Sequence, residues 1–271
     1  MTVDRFFELF LKELEGKPEW WSYYKFHVDG KSFSFRKAYF CQRLEYIQHA
    51  LSDLNGKVWD IGCGYGTTAI FLALNGYRVH GNTLEFYFPE IAERLKYWSQ
   101  FGNVSTFTFD YADLFEMNHI EPSYSAVIVQ DTLHHLEPID SALKIIAKSL
   151  LPQGKMIAVE ENGNNLIQSM KLYRQRGNER IIEMYDAKLG KTILLGNENI
   201  RSLTHWQNLV SHAGMEVMPQ SVQYVRILPP SLFNRFSYDK AIAFEHKLSR
   251  NYWLREGFYF GLNFQARLKL F

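Results

Sequence analysis

Short apolar runs alternate with longer segments of helical periodicity in the middle of the chain, and this alternation limits the fold more than any other feature. The runs typical of strands cover residues 57–62, 77–82, 104–110, 125–131 and 155–161. The segments between them that favour helices cover residues 66–76, 87–101 and 138–150. Strands linked by helices in this order form a parallel sheet with helices on both faces. The alternation therefore predicts an α/β fold.

Two helices are predicted before the first strand. The first covers residues 3–15, where five apolar side chains share one helical stripe, and the second covers residues 34–54. The loop between them is rich in aromatic residues. We expect residues 1–54 to form an N-terminal helical cap or lid, and residues 55–271 to form the main domain.

The alternation becomes less regular after residue 162. Helices are predicted at about 165–176, 198–213 and 234–250, with an irregular basic stretch between the first two. Strands are predicted over 215–228 and 258–270. Residues 161–271 carry 15 basic and nine acidic side chains. This basic half can attract anionic substrates or a membrane surface, or it can simply be a solvated helix surface.

Composition excludes several classes of protein. The 271 residues include 30 Lys and Arg against 29 Asp and Glu, which argues against a protein that grips nucleic acid through its phosphates. The N-terminal apolar run contains Asp4 and Glu8, so it does not read as a secretory signal. Cys41 and Cys63 alone form neither a disulfide framework nor a thiol metal site. We expect a cytoplasmic enzyme without a bound metal.

The first predicted strand leads directly into a glycine-rich turn, D-I-G-C-G-Y-G, which runs from Asp60 to Gly66 and precedes a helix. Such a turn lets backbone N–H groups approach a ligand, and the helix N-terminus favours an anionic group. The spacing is GxGxG and not the GxGxxG of dinucleotide-binding turns. Asp60 just upstream suits an amino-acid-like ligand with both an ammonium and a carboxylate better than a pyrophosphate.

This turn and four later segments resemble the class I S-adenosylmethionine-dependent methyltransferases. The later segments are the end of the second strand, F-D-Y-A-D-L-F at 109–115, A-V-I-V-Q-D-T-L-H-H-L-E-P at 126–138 and the stretch 150–165. The resemblance is close over 55–165 and extends loosely to 271. It implies a Rossmann-like, doubly wound, seven-stranded and mostly parallel sheet with an antiparallel last strand. N-terminal helices and inserted helices near the C-terminus complete that fold, with substrate-covering insertions at about 162–213 and 229–257.

The resemblance also implies S-adenosylmethionine as the cofactor and assigns residues to it. These are Asp60, Gly62, Cys63, Gly64, Tyr65, Gly66, Thr67, Thr83, Leu84, Asp110, Tyr111, Gln130 and Asp131. Asp60 and the glycines would hold the methionine part, and Asp110 would accept from the adenine amino group. Thr83 departs from the family, which usually has an acidic residue at the ribose. Glu85, two residues later, is interpreted as a solvated carboxylate at a helix start.

Two histidines follow Asp131 on the loop that would face the transferred methyl group. Methyl transfer from a sulfonium is an in-line displacement, which an enzyme accelerates by positioning the reactants and excluding water. An alcohol or phenol acceptor gains if a histidine removes its proton. We favour His135 over His134 as this base, because its spacing from Asp131 resembles that in phosphoethanolamine-type methyltransferases. The alternative is that both histidines are structural.

Three further residues are candidates for acceptor contacts: Tyr24, Glu161 and His205. The aromatic residues 20–24 can cover the cofactor or can fasten the N-terminal helices to the sheet. Abundant Phe and Tyr at both ends of the chain suggest a small apolar or aromatic acceptor, methylated on oxygen in preference to nitrogen. Two alternatives remain: a lipid-modifying transferase at a membrane surface, motivated by Thr83 and the basic C-terminal half, and a catalytically silent binding subunit. The sequence leaves the oligomeric state open.

Overall fold

Five parallel strands form the centre of the main sheet in a computed structural model, which describes residues 1–26, 29–84, 88–117 and 121–269, with no side chains described for 29–31. These strands are β1 (Lys57–Ile61), β2 (Arg78–Thr83), β3 (Phe107–Tyr111), β4 (Tyr124–Gln130) and β5 (Leu150–Glu161). They lie in the order β3-β2-β1-β4-β5. The order reverses direction beside β1, which pairs with both β2 and β4. In open α/β sheets a ligand binds at such a switch point, at the carboxyl ends of the strands.

The other side of the sheet ends in antiparallel strands. The last strand, β10 (Gly261–Leu268), runs antiparallel to β5. Two short strands, β8 (Met215–Val217) and β9 (Gln223–Val225), both pair with β10. The single strand predicted over 215–228 is thus divided by a short 3₁₀ turn at Pro219–Ser221. The sheet has eight strands in seven positions and confirms the doubly wound fold with an antiparallel last strand.

Helices cover both faces of the sheet. They are α4 (Thr67–Leu74), α5 (Phe88–Trp98), α6 (Ile139–Ser149) and α8 (Leu203–His212). The side chains of β1 after Lys57 are buried, as are those of β4 before Gln130. This burial on both faces explains why these strands are continuous apolar runs in the sequence.

Three helices precede the sheet: α1 (Val3–Leu14), α2 (Pro18–Tyr24) and α3 (Asp29–Leu51). Phe6 of α1 is fully buried, and its ring lies 4.5 Å from that of Trp98 and 5.1 Å from that of Phe71. The aromatic side chains of the N-terminal region therefore fasten these helices to the sheet. The stretch predicted as an aromatic loop contains α2, which begins with a proline in its first turn, where no N–H is needed.

Inserted elements lie after β5 and after β9. They comprise α7 (Leu166–Arg176), a hairpin of β6 (Ile181–Asp186) and β7 (Lys191–Gly196), α9 (Pro230–Phe233), α10 (Tyr238–Leu248) and α11 (Tyr252–Phe258). The hairpin replaces the irregular basic stretch predicted there. Its turn is stabilised by Asp186, whose carboxylate accepts from the backbone N–H groups of Lys188 and Leu189. Gly190 follows with a positive φ of 68°.

Candidate functional site

The glycine turn lies at the switch point, between the end of β1 and the start of α4. Gly62, Gly64 and Gly66 have φ values of 68°, 52° and 71°, a region that side chains rarely adopt. A Cβ at Gly62 would lie 2.5 Å from the methyl carbon of Thr132. Backbone conformation and close packing therefore both require glycine at position 62. The turn exposes backbone to a ligand at the carboxyl edge of the sheet.

Asp60, the penultimate residue of β1, has a buried carboxyl group beside the glycine turn. Its side chain is buried, and Oδ2 has no hydrogen-bond partner among the described residues. Burial raises the pKa of this carboxyl group to about 7. An unpaired buried carboxylate is unfavourable, and a cationic ligand group would relieve it. The ammonium group of an amino-acid ligand fits this requirement.

Cys63 and Tyr65 occupy the turn with different surroundings. Burial, followed by the charge of Asp60, raises the pKa of the Cys63 thiol well above its usual value, so the thiol stays neutral and is no nucleophile. The ring of Tyr65 lies 4.8 Å from that of Trp20 and 5.0 Å from that of Tyr23. Aromatic residues of α2 therefore cover the turn.

A buried ion pair that the sequence did not reveal supports the turn from behind. Arg94 of α5 binds both carboxylate oxygens of Glu13 of α1, at 2.9 and 2.7 Å, and both side chains are almost fully buried. Arg94 also donates to the carbonyl oxygen of Tyr65 at 2.7 Å and to Thr67 Oγ1 at 2.6 Å. The Tyr24 hydroxyl lies 2.7 Å from the same Thr67 oxygen. The N-terminal helices thus fix the glycine turn.

The ends of β2 and β3 lie side by side at the same edge. Thr83 is buried and pairs in register with Tyr111. The Asp110 side chain is 67% exposed, with Oδ2 3.6 Å from His80 Nε2, and remains accessible to a ligand. Leu84 is half-buried, and Glu85 lies outside the described residues. The predicted ribose and adenine residues therefore share one edge with the glycine turn.

Gln130 and Asp131 end β4 beside that turn. Thr68 Oγ1 of α4 donates to Gln130 Oε1 at 2.9 Å. Asp131 has a φ of 50°, which is unusual for a residue with a side chain. Its carboxylate accepts two hydrogen bonds from Arg43 of α3, at 2.5 and 2.9 Å. Sequence patterns gave no signal for Arg43, which lies 88 residues from its partner.

His134 is a buried, paired cation. Its Nδ1 lies 2.5 Å from Glu160 Oε2, while Glu160 Oε1 accepts from the backbone N–H groups of Thr132 and Leu133. Burial alone would lower the pKa of His134, but the Glu160 carboxylate outweighs burial and raises it to about 9. The ring is therefore protonated near neutral pH and cannot accept another proton. Its role is to fix the loop after β4.

His135 has a different environment on the same loop. It is half-buried, and its Nδ1 lies 2.8 Å from the carbonyl oxygen of Gly196. A carbonyl only accepts, so Nδ1 donates in this contact, and in the neutral form of the ring Nε2 would be the acceptor. Among the described residues, His134, His135 and Glu198 have potential ligand atoms within 4.8 Å of one another. A metal on His134 Nε2, the nitrogen 3.8 Å from Glu198, would have to displace the proton that keeps this ring a cation near neutral pH.

The β6–β7 hairpin covers this edge of the sheet. The Tyr111 hydroxyl donates to Asp186 Oδ2 at 2.6 Å, near the hairpin tip. Lys191 lies 2.6 Å from Asp113 and 2.7 Å from Glu116, on the segment after β3. At its other end, the hairpin meets the loop after β4 at Gly196. It therefore spans from the predicted adenine side to the predicted methyl side.

The three predicted acceptor residues are not brought together. Tyr24 contacts Thr67 at the glycine turn, as described. Glu161 lies at the end of β5 and accepts from Gln168 of α7 at 2.6 Å. His205 is exposed on the first turn of α8. The roles of all three residues stay predictions.

Comparison with known proteins identifies a domain in the centre of the chain. Residues 59–158, from β1 to β5, match the protein family described as "Methyltransferase domain". Residues 59–158 therefore form a methyltransferase domain, and its fold is that of the class I S-adenosylmethionine-dependent methyltransferases. Its cofactor is S-adenosylmethionine, and the Asp60 carboxyl group beside the glycine turn, whose Oδ2 has no partner among the described residues, fits the ammonium group of that molecule.

Solved structures support the same Rossmann-like methyltransferase fold. The PH0226 protein of Pyrococcus horikoshii OT3 is 17% identical, with 93% of this chain and 99% of that chain covered and a TM-score of 0.56. The [4+2]-cyclase SpnF is 15% identical, with coverages of 85% and 82% and a TM-score of 0.55. Phosphoethanolamine N-methyltransferase 2 of Haemonchus contortus is 18% identical, with coverages of 84% and 52% and a TM-score of 0.54. These identities establish the fold of the methyltransferase and leave its acceptor open.

Proposed function

We propose that this methyltransferase transfers the methyl group of S-adenosylmethionine to an oxygen atom of a small-molecule acceptor. The observation that carries this proposal is the contact of His135 Nδ1 with the Gly196 carbonyl oxygen at 2.8 Å, which leaves Nε2 as the ring nitrogen that would accept a proton. The small size of the acceptor is supported by the hairpin, because its contacts cover the carboxyl edge of the sheet.

The proposed cofactor contacts follow from the geometry of the edge. Asp60 would bind the ammonium group, and the N–H groups at Gly62 and Gly64 would bind the carboxylate. The N–H of Gly66 donates to the Cys63 carbonyl oxygen at 2.8 Å, so Gly66 would contribute by closing the turn around the ligand. Thr83 would offer its hydroxyl to the ribose. When bound, the cofactor supplies a methyl group activated by a sulfonium.

Asp110 would accept from the adenine amino group, and the backbone N–H of Tyr111 would donate to the ring. Gln130 and Asp131 would line the cleft beside the sulfur. Thr67, Tyr65, Cys63 and Leu84 complete the proposed cofactor contacts.

The two histidines on the loop after β4 would have different roles. His135 Nε2 would accept the hydroxyl proton of the acceptor, and the Glu198 carboxylate close by would stabilise the resulting imidazolium. His134, held as a cation by Glu160, would position the loop and would not exchange a proton near neutral pH. The base and the positioning group are therefore distinct residues.

Residues 1–54 would act as a cap on the methyltransferase domain of residues 55–271. Three contacts of the N-terminal helices with the site support this role: Glu13 with Arg94, Tyr24 with Thr67 and Arg43 with Asp131. A cap at this place would exclude water from the reaction. The insertions at 162–213 and 229–257 would cover the acceptor. The N-terminal aromatic residues pack as core and so give no support for an aromatic acceptor.

Formation of S-adenosylhomocysteine tests the proposal. We would screen small molecules in matched pairs that carry a hydroxyl or an amine on the same skeleton, and the hydroxyl members should be consumed. With the acceptor found, His135→Ala should lower kcat by about 100-fold or more, the usual contribution of a general base. Binding of S-adenosylhomocysteine should change less than twofold, because His135 is not among the proposed cofactor contacts.

His212→Ala provides the matched control, since His212 is an exposed histidine on α8. Unchanged kcat in His135→Ala would contradict the role of this residue as a base. Consumption of the amines alone would contradict methylation on oxygen.

A second candidate function is methylation of a lipid at a membrane surface. It is favoured by an exposed apolar patch, which we call the α7–α11 patch and which consists of Leu166, Ile167, Met170, Tyr173, Tyr252, Trp253 and Phe258. Trp253 is 80% exposed, and Leu166 of α7 approaches Gly257 of α11. Lys171, Arg174 and Arg176 provide positive charge on α7, as expected of a surface for anionic lipid.

Co-sedimentation with vesicles of phosphatidylcholine or phosphatidylglycerol tests this candidate. No helix in the described part of the chain is long and apolar enough to cross a bilayer, so contact would be with the surface. Binding to the anionic vesicles should fall in Leu166→Ser and Trp253→Ser but not in the control Phe236→Ser, an exposed aromatic outside the patch. Absence of binding to both kinds of vesicle would exclude the lipid candidate.

A further inference from the structure

A polar cleft opens between α3, the end of β5 and the start of β10. Tyr39 and Arg43 line it from α3, Glu161 from β5, Asn263 from β10 and Arg226 from the segment after β9. About 320 Å³ of space is free of protein atoms when the open mouth is included.

Four buried polar atoms at or beside this cleft have no hydrogen-bond partner among the described residues. They are Arg36 Nε, Tyr39 OH, Gln42 Oε1 and Asn263 Oδ1. Arg36, Tyr39 and Arg43 recur at positions i, i+3 and i+7 of α3 and therefore share one face of that helix. Buried polar groups are normally paired, so several unpaired ones together indicate a place for a polar ligand.

Positive charge accumulates around the same cleft. The guanidinium of Arg226 lies 5.2 Å from the centre of the Tyr39 ring. Burial and the charges of Arg226 and Arg43 lower the pKa of Arg36, and burial together with Arg36, Lys171 and Arg226 lowers that of Lys25. Carboxylates offset part of this charge: Glu161 is 3.8 Å from Arg226, Glu160 also lines the cleft, and Asp131 pairs with Arg43. An anion in the cleft would relieve this repulsion.

Arg226 has an unfavourable backbone conformation that neighbouring contacts impose. Its φ is 72°, and the segment is fixed by buried Glu245, which accepts from the N–H groups of residues 226, 227 and 228 at 3.4, 3.0 and 2.9 Å. Such strain persists only where surrounding contacts impose it, and it concentrates at functional sites. Glu245 is thus a positioning residue for Arg226.

We propose that this cleft binds an oxyanion, a phosphate or a carboxylate, that forms part of the methyl acceptor. Arg36, Arg43 and Arg226 would bind the oxygens, and Tyr39 OH would donate a further hydrogen bond. The cleft adjoins the loop after β4, because Arg43 also binds Asp131. An acceptor anchored here by its anion would present its nucleophile beside that loop. The inference rests on the proposed function and specifies its substrate as anionic.

Calorimetric titration tests the cleft with inorganic phosphate, glycerol phosphate and acetate as probes, in a zwitterionic buffer. At least one probe should bind, and Arg226→Gln should weaken it about 10- to 100-fold, the usual contribution of a charge-assisted hydrogen bond. Tyr39→Phe should weaken it less. Arg235→Gln, which alters an exposed arginine elsewhere, should leave it unchanged. Vesicles containing phosphatidic acid distinguish a lipid head group from a free phosphate.

Binding of S-adenosylhomocysteine, measured on every variant, separates the two proposals and reports on folding. If the wild-type chain does not bind it, the proposed function fails whatever the anions do. If the wild type binds it but binds none of the three anions, only the cleft proposal is overturned. Equal anion binding by wild type, Arg226→Gln and Tyr39→Phe would overturn the cleft proposal as well.

Discussion

Replacement of Glu13 by glutamine tests how the N-terminal helices support the glycine turn. Glu13 and Arg94 expose 1% and 0% of their side chains and are joined by two hydrogen bonds. Trp98 Nε1 also donates to Glu13 at 2.9 Å. Glu13→Gln keeps the size of the side chain but removes its charge, which leaves the Arg94 guanidinium buried without a counter-ion.

The expected loss of stability is large. Removal of one partner of a buried ion pair usually costs about 3–5 kcal/mol, because the remaining charge stays desolvated. A comparable pair on the surface of the same helix gives the contrast: Arg5 and Glu8 lie 3.0 Å apart and are 55% and 60% exposed. Glu8→Gln should cost about 0.5 kcal/mol or less.

Urea unfolding followed by tryptophan fluorescence and by far-UV circular dichroism measures both variants. The free energy of unfolding should fall by about 3 kcal/mol or more in Glu13→Gln, with coincident transitions by the two probes. S-adenosylhomocysteine should also bind more weakly, because Arg94 holds the carbonyl of Tyr65 and the hydroxyl of Thr67. Equal midpoints for Glu13→Gln and Glu8→Gln would refute the reasoning.

Two further expectations concern pH. Asp60 has a pKa of about 7 in the fold against 3.8 in a model peptide, so its contribution to stability falls as pH rises from about 4 to 7. Asp60→Asn should therefore raise the urea midpoint at pH 8 more than at pH 4, and it should weaken the binding of S-adenosylhomocysteine. An equal change of the midpoint at both pH values would contradict this expectation. His134 has a raised pKa of about 9, so its contribution is present below about pH 6.5 and is lost as pH rises to 9. Glu160→Gln should lower that pKa in an NMR titration, and an unchanged titration would contradict the assigned pair.

The alternating strands and helices of the sheet, and the glycine turn, could be predicted from the sequence. The strands β1 and β4 are buried on both faces, so they appear in the sequence as continuous apolar runs. The turn after β1 requires positive φ values, so it appears in the sequence as closely spaced glycines. The antiparallel last strand came from the resemblance. The β6–β7 hairpin was missed because its strands are mostly exposed and lack a clear alternation. Asp186 and Gly190 were the signals available for its turn.

The supporting side chains of the site could not be predicted, because their partners are far away in the sequence. Arg94 and Glu13 are 81 residues apart, and Arg43 and Asp131 are 88 apart. A charged residue on a helix gives no sign of being buried until the fold brings its partner to it. Arg226 likewise reads as one more basic residue of the C-terminal half. The roles of the two histidines could not be predicted either, because only their partners in the fold distinguish the protonated His134 from His135.

Titration of S-adenosylhomocysteine into the folded chain, compared with Asp60→Asn, tests the central claim most directly. We expect one binding site per chain, with affinity at least tenfold weaker in the variant because its side chain no longer provides a counter-charge for the ammonium group. A wild-type chain that circular dichroism shows to be folded, but that binds no S-adenosylhomocysteine or binds a nicotinamide dinucleotide at this edge instead, would contradict the claim.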